Sequence, residues 1–218
     1  MKMIFRDRKD AGVRLAQVLR EFKGKDVIIL AIPRGGVPVA KEIADFLGCE
    51  MDVIITRKVG APNNPEFAIG SVTQDGELLT DLRFATSYGV GESYILEESK
   101  RQAKIVKERL RKFRGDKPYP YLQNRIVVIV DDGIATGYTI RAAVQSVKTK
   151  GPSKIVLAVP VAPRDAIEEL RSEVDQVVCL STPEIFYAIG EFYENFEQVE
   201  DEEVVKMLKQ GRIETSPA

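Results

Sequence analysis

Residues 127–139 restrict the fold of this chain more than any other stretch, because they place a strand, two acids and a helix start in direct succession. Residues 127–130 are all aliphatic, as in a parallel strand that is covered on both faces. Asp131 and Asp132 follow, and a loop of small residues then leads into a helical pattern that begins near Thr139. A strand that ends in a loop and a helix start is the repeating unit of an α/β sheet.

The loop after this strand has the composition of a phosphate-binding loop. Glycine and alanine let a ligand approach the backbone, and the N–H groups at a helix start attract anions. Carboxylates are costly to bury without a polar partner, and the hydroxyl groups of a sugar would be such partners. These features predict a sugar phosphate as the ligand. The alternative is a plain strand–turn–helix crossover in which Asp131 and Asp132 only cap the helix.

Strand and helix patterns alternate along the chain, which predicts an α/β fold with a mostly parallel sheet flanked by helices. The predicted strands are 27–32, 52–57, 67–73, 125–130, 154–160 and 176–180. The predicted helices are 11–22, 37–47, 92–113, 139–148, 164–172 and 200–209. The length suits a single domain, which we expect to cover residues 1–210, followed by a disordered tail at 211–218.

Two further predicted strand ends carry residues that suit an anion. Arg34, Gly35 and Gly36 follow the first strand, where a guanidinium offers a planar fork of donors and two glycines expose backbone N–H groups. Arg57 and Lys58 end the second strand, and their charges repel each other unless an anion lies between them. Taken alone, the first motif is more typical of an ordinary turn, and the alternative for the second is an exposed charged surface.

The composition excludes several classes of function. Histidine is absent, so no catalytic triad with an imidazole base and no imidazole metal ligand can exist. Cys49 and Cys179 lack metal-ligand spacing, and we expect both to pack as small apolar side chains in a reducing cytoplasm. The net charge of −1 argues against attraction of the whole protein to nucleic acid. No apolar run reaches about 18 residues, and no secretory leader is visible, so we expect a cytoplasmic protein without membrane contact.

With these motifs in order, the sequence resembles the type I phosphoribosyltransferases, whose signature for the donor phosphoribosyl pyrophosphate (PRPP) matches residues 127–139. The resemblance extends from about residue 5 to residue 196 and is strongest to stand-alone members whose acceptor is unassigned. It implies a small hood subdomain over the acceptor, formed here by about 1–10 and 181–196. Gly133 departs from the family, which more often has an aliphatic residue at that position.

The resemblance implies a role for each motif residue. Asp131 and Asp132 would bind the ribose hydroxyls and would ligate Mg²⁺ directly or through water. The loop that would bind the 5-phosphate contains Ala135, Thr136, Gly137, Tyr138 and Thr139. The residues that would bind pyrophosphate are Arg34, Gly35, Gly36, Arg57 and Lys58. The implied catalytic set is Asp131, Asp132, Arg34, Arg57 and Lys58. A mobile loop that closes over the substrate would correspond to 59–66.

The acceptor is less well defined than the donor. Phe186 and Tyr187, in the predicted hood, could stack on a base, or could simply cover the end of the sheet. Members of the family that act on 6-oxopurines carry an aspartate at the position of Ala135. The resemblance therefore disfavours hypoxanthine and guanine, and leaves adenine, xanthine, orotate, uracil and other acceptors open.

The predicted activity is Mg²⁺-dependent transfer of 5-phosphoribosyl from PRPP to a nitrogenous base or related acceptor, with release of pyrophosphate, as in purine or pyrimidine salvage. We expect a homo-oligomer, in the form of a dimer. One alternative is a regulatory protein that senses PRPP while it binds nucleic acid or a protein partner, which the basic second half of the predicted helix 92–113 favours. The same charges can also form a solvated face with internal ion pairs. A third hypothesis is a PRPP synthase, but no ATP-binding signature is visible in the sequence.

Overall fold

The computed structural model describes residues 4–210, apart from the side chains of residues 65–66. The predicted tail at 211–218 and the first three residues of the predicted hood lie outside the described residues. Within them, the strands are β1 (Val27–Ala31), β2 (Glu50–Val53), β3 (Arg57–Ala61), β4 (Asn64–Val72), β5 (Leu78–Leu79), β6 (Ile126–Val130), β7 (Lys154–Val161) and β8 (Gln176–Ser181). The helices are α1 (Arg8–Val18), α2 (Gly36–Leu47), α3 (Leu82–Ser87), α4 (Glu92–Arg114), α5 (Tyr138–Lys148), α6 (Arg164–Leu170) and α7 (Asp201–Gln210). Short 3₁₀ turns lie at Leu19–Phe22 and Ile189–Phe192.

A five-stranded sheet forms the centre of the fold, in the order β2-β1-β6-β7-β8, and all of its neighbouring strands run parallel. Every residue of β1 is buried, because helices cover both faces of the sheet. Helices α1, α2, α4 and α7 pack on one face, and α5 and α6 pack on the other. The predicted mostly parallel sheet flanked by helices is confirmed. Because the strands are parallel, the loops that follow them gather at one edge, where ligands of such sheets bind.

A second, three-stranded sheet of order β3-β4-β5 corrects two of the predicted strands. The predicted strand 52–57 ends at Val53, and Arg57 instead begins β3. The predicted strand 67–73 does not join the parallel sheet, because β4 pairs antiparallel with β3. The connection explains both differences: Pro62 and Asn63 can join antiparallel strands, whereas a parallel pair needs a crossover of about a dozen residues. Most of the predicted mobile loop 59–66 therefore lies in paired strands.

The end of α4 is fixed by an ion pair that is buried on both sides. The Nε atom of Arg114 lies 2.9 Å from Oδ1 and 3.0 Å from Oδ2 of Asp52, and the two side chains are only 6% and 5% exposed. The guanidinium also donates to the carbonyl of Pro118 at 2.6 Å. This arrangement holds the chain between α4 and β6 against the sheet.

Replacement of Arg114 by Met is expected to lower the free energy of unfolding by about 3–5 kcal/mol, because it leaves the Asp52 carboxylate buried without its cation. Urea unfolding measures the change. The matched control is Arg111→Met on the same helix, since Arg111 pairs with Asp116 at 3.6 Å and both side chains are largely exposed. That control should cost less than about 1 kcal/mol, and equal losses in the two variants would contradict the assignment.

Among residues 4–210, no helix combines the length and the apolar character that a bilayer crossing requires.

Cys49 and Cys179 are both free thiols and partly buried. Burial raises the pKa of Cys49 to about 12 and that of Cys179 to about 11, which keeps both thiols protonated near neutral pH. Neither cysteine is placed to act as a nucleophile.

Candidate functional site

Asp131 and Asp132 lie at the carboxyl end of β6, in the centre of the edge where the loops gather. Asp132 is buried and Asp131 is half-buried, and the backbone N–H of Asp132 donates to Oδ1 of Asp131 at 2.8 Å. Burial raises the pKa of both carboxyl groups; the neighbouring charge of Asp132 raises that of Asp131 further, whereas Arg8 opposes the rise at Asp132. Two carboxylates in such a place favour a ligand that brings hydroxyl groups or positive charge.

The loop that follows the acid pair presents backbone donors toward solvent. Helix α5 begins at Tyr138, and Gly137 before it adopts the left-handed conformation, with φ of 76°. Within the described chain, the N–H groups of residues 135–139 have no protein acceptor. Consecutive N–H groups at a helix start form a site for an anion, to which the helix dipole adds. The structure thus places the predicted phosphate loop directly beside the acid pair.

The loop between β1 and α2 packs against the same acid pair. A Cβ atom at Gly35 would lie 2.0 Å from Oδ2 of Asp132, and one at Gly36 would lie 2.7 Å from the carbonyl oxygen of Val130. Both positions therefore require glycine, because any side chain would force the two loops apart. The N–H groups of Arg34 and Gly35 have no protein acceptor among residues 4–210, and the peptide bond that precedes Arg34 is cis. The two loops that the sequence singled out as anion sites are thus in contact.

The side chain of Arg34 lies outside this contact. Its Nη1 atom lies 3.8 Å from Oε2 of Glu200, just before α7, and 3.6 Å from Oδ1 of Asp201, in the first turn of that helix. Asp201 also accepts a hydrogen bond from Nζ of Lys112 at 2.6 Å, which lowers the pKa of Asp201. The backbone of Arg34 therefore belongs to the candidate site, while its guanidinium pairs with acids that the sequence analysis did not consider.

Arg57 and Lys58 lie across a cleft from the phosphate loop. They were predicted to end a strand of the parallel sheet; instead they begin β3, at the base of the hairpin. The Nε atom of Arg57 donates to Oε1 of Gln102 at 2.6 Å, and burial lowers the pKa of Arg57, as do the charges of two arginines of α4. The cleft has a volume of about 480 Å³ and is lined by Thr56, Arg57, Lys58, Thr136, Tyr138, Thr139 and Ala142. Both predicted cations therefore face the space beside the phosphate loop.

The N-terminal segment and the residues after β8 come together over the edge of the sheet. The N–H of Phe5 donates to the carbonyl of Phe192 at 2.8 Å, and the N–H of Glu194 donates to the carbonyl of Phe5 at 2.8 Å. Ile189 in this segment explains Gly133, since a Cβ atom at Gly133 would lie 2.7 Å from Cγ2 of Ile189. The residue that departs from the family pattern is thus required by the packing of the second segment on the acid loop.

The predicted acceptor residues share a separate cleft of about 740 Å³. Phe186 stacks on Phe192 with ring centroids 5.3 Å apart, so it is held in the wall of the cleft. Tyr187 is 81% exposed and has room to contact a ligand. The full lining is Ala135, Thr136, Pro163, Arg164, Asp165, Glu168, Pro183, Glu184, Phe186 and Tyr187. The phosphate loop thus connects the acceptor cleft to the cleft beside β3.

The sequence analysis missed the contacts that Arg8 and Tyr193 make with Asp132. It also missed Phe196, which packs against Arg8. The Nε atom of Arg8 donates to Oδ2 of Asp132 at 2.7 Å, and the hydroxyl of Tyr193 donates to the carbonyl of Asp132 at 2.6 Å. The guanidinium of Arg8 also lies over the ring of Phe196, 3.8 Å from its centroid. Arg8 and Asp132 are 124 positions apart in sequence, so no local pattern could have revealed the contact.

Residues 4–210 contain no dedicated metal site built only by protein side chains. Within the described residues, no group of three or more histidine, cysteine, aspartate or glutamate side chains could hold a metal ion. The acid pair does fit Mg²⁺, because that ion commonly takes one or two carboxylates and completes its coordination with substrate phosphates and water. The residues present are therefore compatible with an ion shared between protein and substrate.

Comparisons with known proteins identify relatives of this chain. The family model described as phosphoribosyl transferase domain matches residues 8–197. A protein of Mycobacterium tuberculosis H37Rv named "Putative phosphoribosyl transferase" is 40% identical over 215 residues, which cover 99% of this chain and 48% of that protein, and the counterpart in strain CDC 1551 gives the same values. The chain thus spans about half the length of these curated relatives. A crystal structure of a Thermus thermophilus protein is 43% identical with a TM-score of 0.86, covering 95% of this chain and 99% of that one.

Proposed function

This chain belongs to the phosphoribosyl transferase family, and from that membership we propose that it transfers 5-phosphoribosyl from PRPP to a nitrogenous base or related acceptor and releases pyrophosphate. The observation that carries the proposal is the contact between the acid pair and two loops with unpaired N–H groups. Oδ2 of Asp132 lies only 2.0 Å from the position that a Cβ atom of Gly35 would take, and residues 135–139 follow the same acid pair. A donor with phosphate groups at both ends of a ribose matches this arrangement.

Each part of the donor has a complementary part of the site. The ribose hydroxyls donate to the carboxylates of Asp131 and Asp132. The 5-phosphate accepts hydrogen bonds from the N–H groups of residues 135–139, at the start of α5. The diphosphate accepts from the N–H groups of Arg34 and Gly35, and Lys58 supplies positive charge from across the cleft. Donors that are already in place cost no rearrangement when the ligand binds.

The same arrangement stabilises the charges that develop during transfer. As the bond to pyrophosphate breaks, positive charge grows at the anomeric carbon of the ribose, and negative charge grows on the leaving group. The carboxylates of Asp131 and Asp132 lie near the first charge, and the backbone donors of the glycine loop lie near the second. No protein nucleophile is needed, which is consistent with a chain that lacks histidine and has buried cysteines.

We include Mg²⁺ in this proposal as an ion that Asp131 and Asp132 hold directly or through water. When bound, it would neutralise part of the charge of the diphosphate. The residues of the chain orient the donor around it: the acid pair fixes the ribose, and the two loops fix its ends. Removal of divalent ions with a chelator should therefore weaken PRPP binding, which calorimetry can measure.

The acceptor would bind in the cleft formed by the hood, Ala135 and α6. Tyr187 offers an exposed ring for stacking, and Phe186 supports the wall of the cleft. Ala135 lacks the carboxylate that family members acting on 6-oxopurines carry at this position. The proposal therefore favours adenine, orotate, uracil or a less common acceptor over the 6-oxopurines hypoxanthine and guanine.

Replacement of Tyr187 by Ala is expected to raise the KM for the acceptor by about tenfold, within the 1–3 kcal/mol that base stacking on an aromatic ring contributes. The KM for PRPP should stay unchanged, since Tyr187 does not line the donor loops. Steady-state kinetics measures both constants. The control is Tyr121→Ala, an exposed tyrosine in the loop before β6. If the two variants behave alike, Tyr187 does not contact the acceptor.

The test of the proposed function is release of pyrophosphate from PRPP and Mg²⁺ with a panel of bases. We expect release with at least one of adenine, orotate or uracil, and less with the 6-oxopurines hypoxanthine and guanine. PRPP binding without release by any acceptor would favour the regulatory alternative. The exposed lysines and arginines of α4 would then be the surface to test with RNA at low salt, and they include Lys100, Arg101, Lys104 and Lys107.

A further inference from the structure

We propose that Arg8 is a positioning residue for the donor: it holds the carboxylate of Asp132 in the orientation that the ribose hydroxyls require. This inference rests on the proposed function and extends it to a residue outside the three motifs. Arg8 is the first residue of α1, and it contacts Asp132 across a sequence separation of 124 positions. It acts through Asp132 and does not itself contact the reacting atoms.

Three contacts hold the guanidinium of Arg8 in place. Its Nε atom donates to Oδ2 of Asp132 at 2.7 Å, and its Nη1 atom donates to the carbonyl of Glu197 at 2.6 Å. The ring of Phe196 lies under the guanidinium, 3.8 Å from ring centroid to Cζ. The side chains of Arg8 and Asp132 are only 12% and 11% exposed. A guanidinium fixed by two hydrogen bonds and a ring has little freedom to swing away from the carboxylate.

The carboxylate of Asp132 is held from the other side as well. Oδ2, the oxygen that accepts from Arg8, is also the atom that a Cβ at Gly35 would meet at 2.0 Å. The hydroxyl of Tyr193 fixes the backbone of Asp132 through its carbonyl. Asp132 is therefore enclosed by Arg8, the glycine loop and Tyr193. Oδ2 accepts from Arg8, and the inference assigns the other oxygen, Oδ1, to a ribose hydroxyl.

The charge of Arg8 also supports its proposed role at Asp132. Asp131 and Asp132 are adjacent acids at a buried edge of the sheet, and Arg8 balances one of their two negative charges. Loss of the guanidinium would leave the Asp132 carboxylate without its cation and without the hydrogen bond that fixes Oδ2. The ribose would then lose an oriented acceptor, whereas the glycine loop would keep its N–H groups for the diphosphate. A merely structural tie between α1 and residues 193–197 would instead affect every ligand of the site equally.

The experiment compares Arg8→Gln and Arg8→Lys with the parent, using calorimetric Kd values in buffer with Mg²⁺ for PRPP, ribose 5-phosphate and inorganic pyrophosphate. We expect Arg8→Gln to weaken both ribose-containing ligands by about tenfold or more, which corresponds to loss of a hydrogen bond to a charged group. Pyrophosphate should bind within about twofold of the parent. Arg8→Lys keeps the charge and one donor, so its affinity for ribose 5-phosphate should lie between those of the other two proteins.

The matched control is Arg14→Gln on the same helix, because Arg14 pairs with Asp10 at 2.7 Å away from the acid pair. It should bind all three ligands as the parent does. Unchanged binding of ribose 5-phosphate by Arg8→Gln would overturn the inference, and so would equal weakening of ribose 5-phosphate and pyrophosphate. A parent protein that binds neither PRPP nor ribose 5-phosphate would instead refute the proposed function itself, so the two failures are distinguishable.

Discussion

Asp131→Asn combined with Asp132→Asn is expected to abolish measurable binding of PRPP, with a loss of affinity of about a hundredfold to ten-thousandfold. The two amides keep the shape of the side chains but remove both negative charges. The ribose hydroxyls then lose two charge-assisted acceptors, and a bound Mg²⁺ would lose both carboxylates that the proposal assigns to it. The parent should gain thermal stability when PRPP and Mg²⁺ are added, because a ligand that binds only the folded state raises the midpoint of unfolding. The double variant should show no such gain.

The matched control is Asp26→Asn combined with Asp116→Asn, which removes two charges at exposed side chains. That protein should keep the full thermal shift with PRPP. If the shift disappeared in the control as well, it would reflect net charge and not the acid pair. A parent without any shift, confirmed by calorimetry, would contradict the assignment of the site.

Gly35→Ala is the second change with a large expected effect. The added methyl group would lie 2.0 Å from Oδ2 of Asp132, so the glycine loop and the acid pair must move apart. A displacement of about 1 Å at a reacting site can cost about a hundredfold, and we expect a loss of that size in PRPP affinity and in turnover. Overpacking should also lower the free energy of unfolding by about 1–3 kcal/mol. Calorimetry and urea unfolding measure the two effects.

Gly91→Ala serves as the control for this change. A Cβ atom at Gly91 would meet only Oγ of Ser93, at 3.8 Å, which is an ordinary contact. Its φ of −71° is open to alanine without strain. PRPP affinity should therefore stay close to that of the parent, while stability should fall by no more than about 1 kcal/mol, because Gly91 is the N-cap residue of α4. Equal PRPP binding by Gly35→Ala and Gly91→Ala would show that the two loops do not need their close contact.

The sequence predicted those parts of the fold and site that depend on local pattern. The apolar run at residues 127–130 identified the central strand, and the small residues at 135–137 identified the start of α5. The glycines at 35 and 36 were predicted to form an anion loop, and the structure adds a steric reason for them. Glycine is needed at position 35 because the loop contacts Asp132. Local composition cannot reveal a contact between residues on two different strands' loops.

The sequence failed where long-range pairing decides the structure. Residues 67–73 have the composition of a strand, yet the short connection through Pro62 and Asn63 makes β4 the antiparallel partner of β3. The sequence analysis predicted that Arg57 and Lys58 end a strand of the parallel sheet. They begin β3 instead, because the short connection pairs β3 with β4 and not with the parallel sheet. Arg8 was overlooked because its partner, Asp132, lies 124 positions away. Pairing across such distances is set by the packing of α1 and residues 193–197 over the sheet edge.

The central claim is that one donor spans two loops that meet at an acid pair, and a crystal structure with PRPP and Mg²⁺ bound tests it most directly. We predict that the 5-phosphate oxygens lie within hydrogen-bond distance of the N–H groups of residues 135–139, and that the diphosphate contacts those of Arg34 and Gly35. The ribose hydroxyls should contact the carboxylates of Asp131 and Asp132. A donor bound with its ribose away from this acid pair, or with both phosphate ends on the same loop, would contradict the claim.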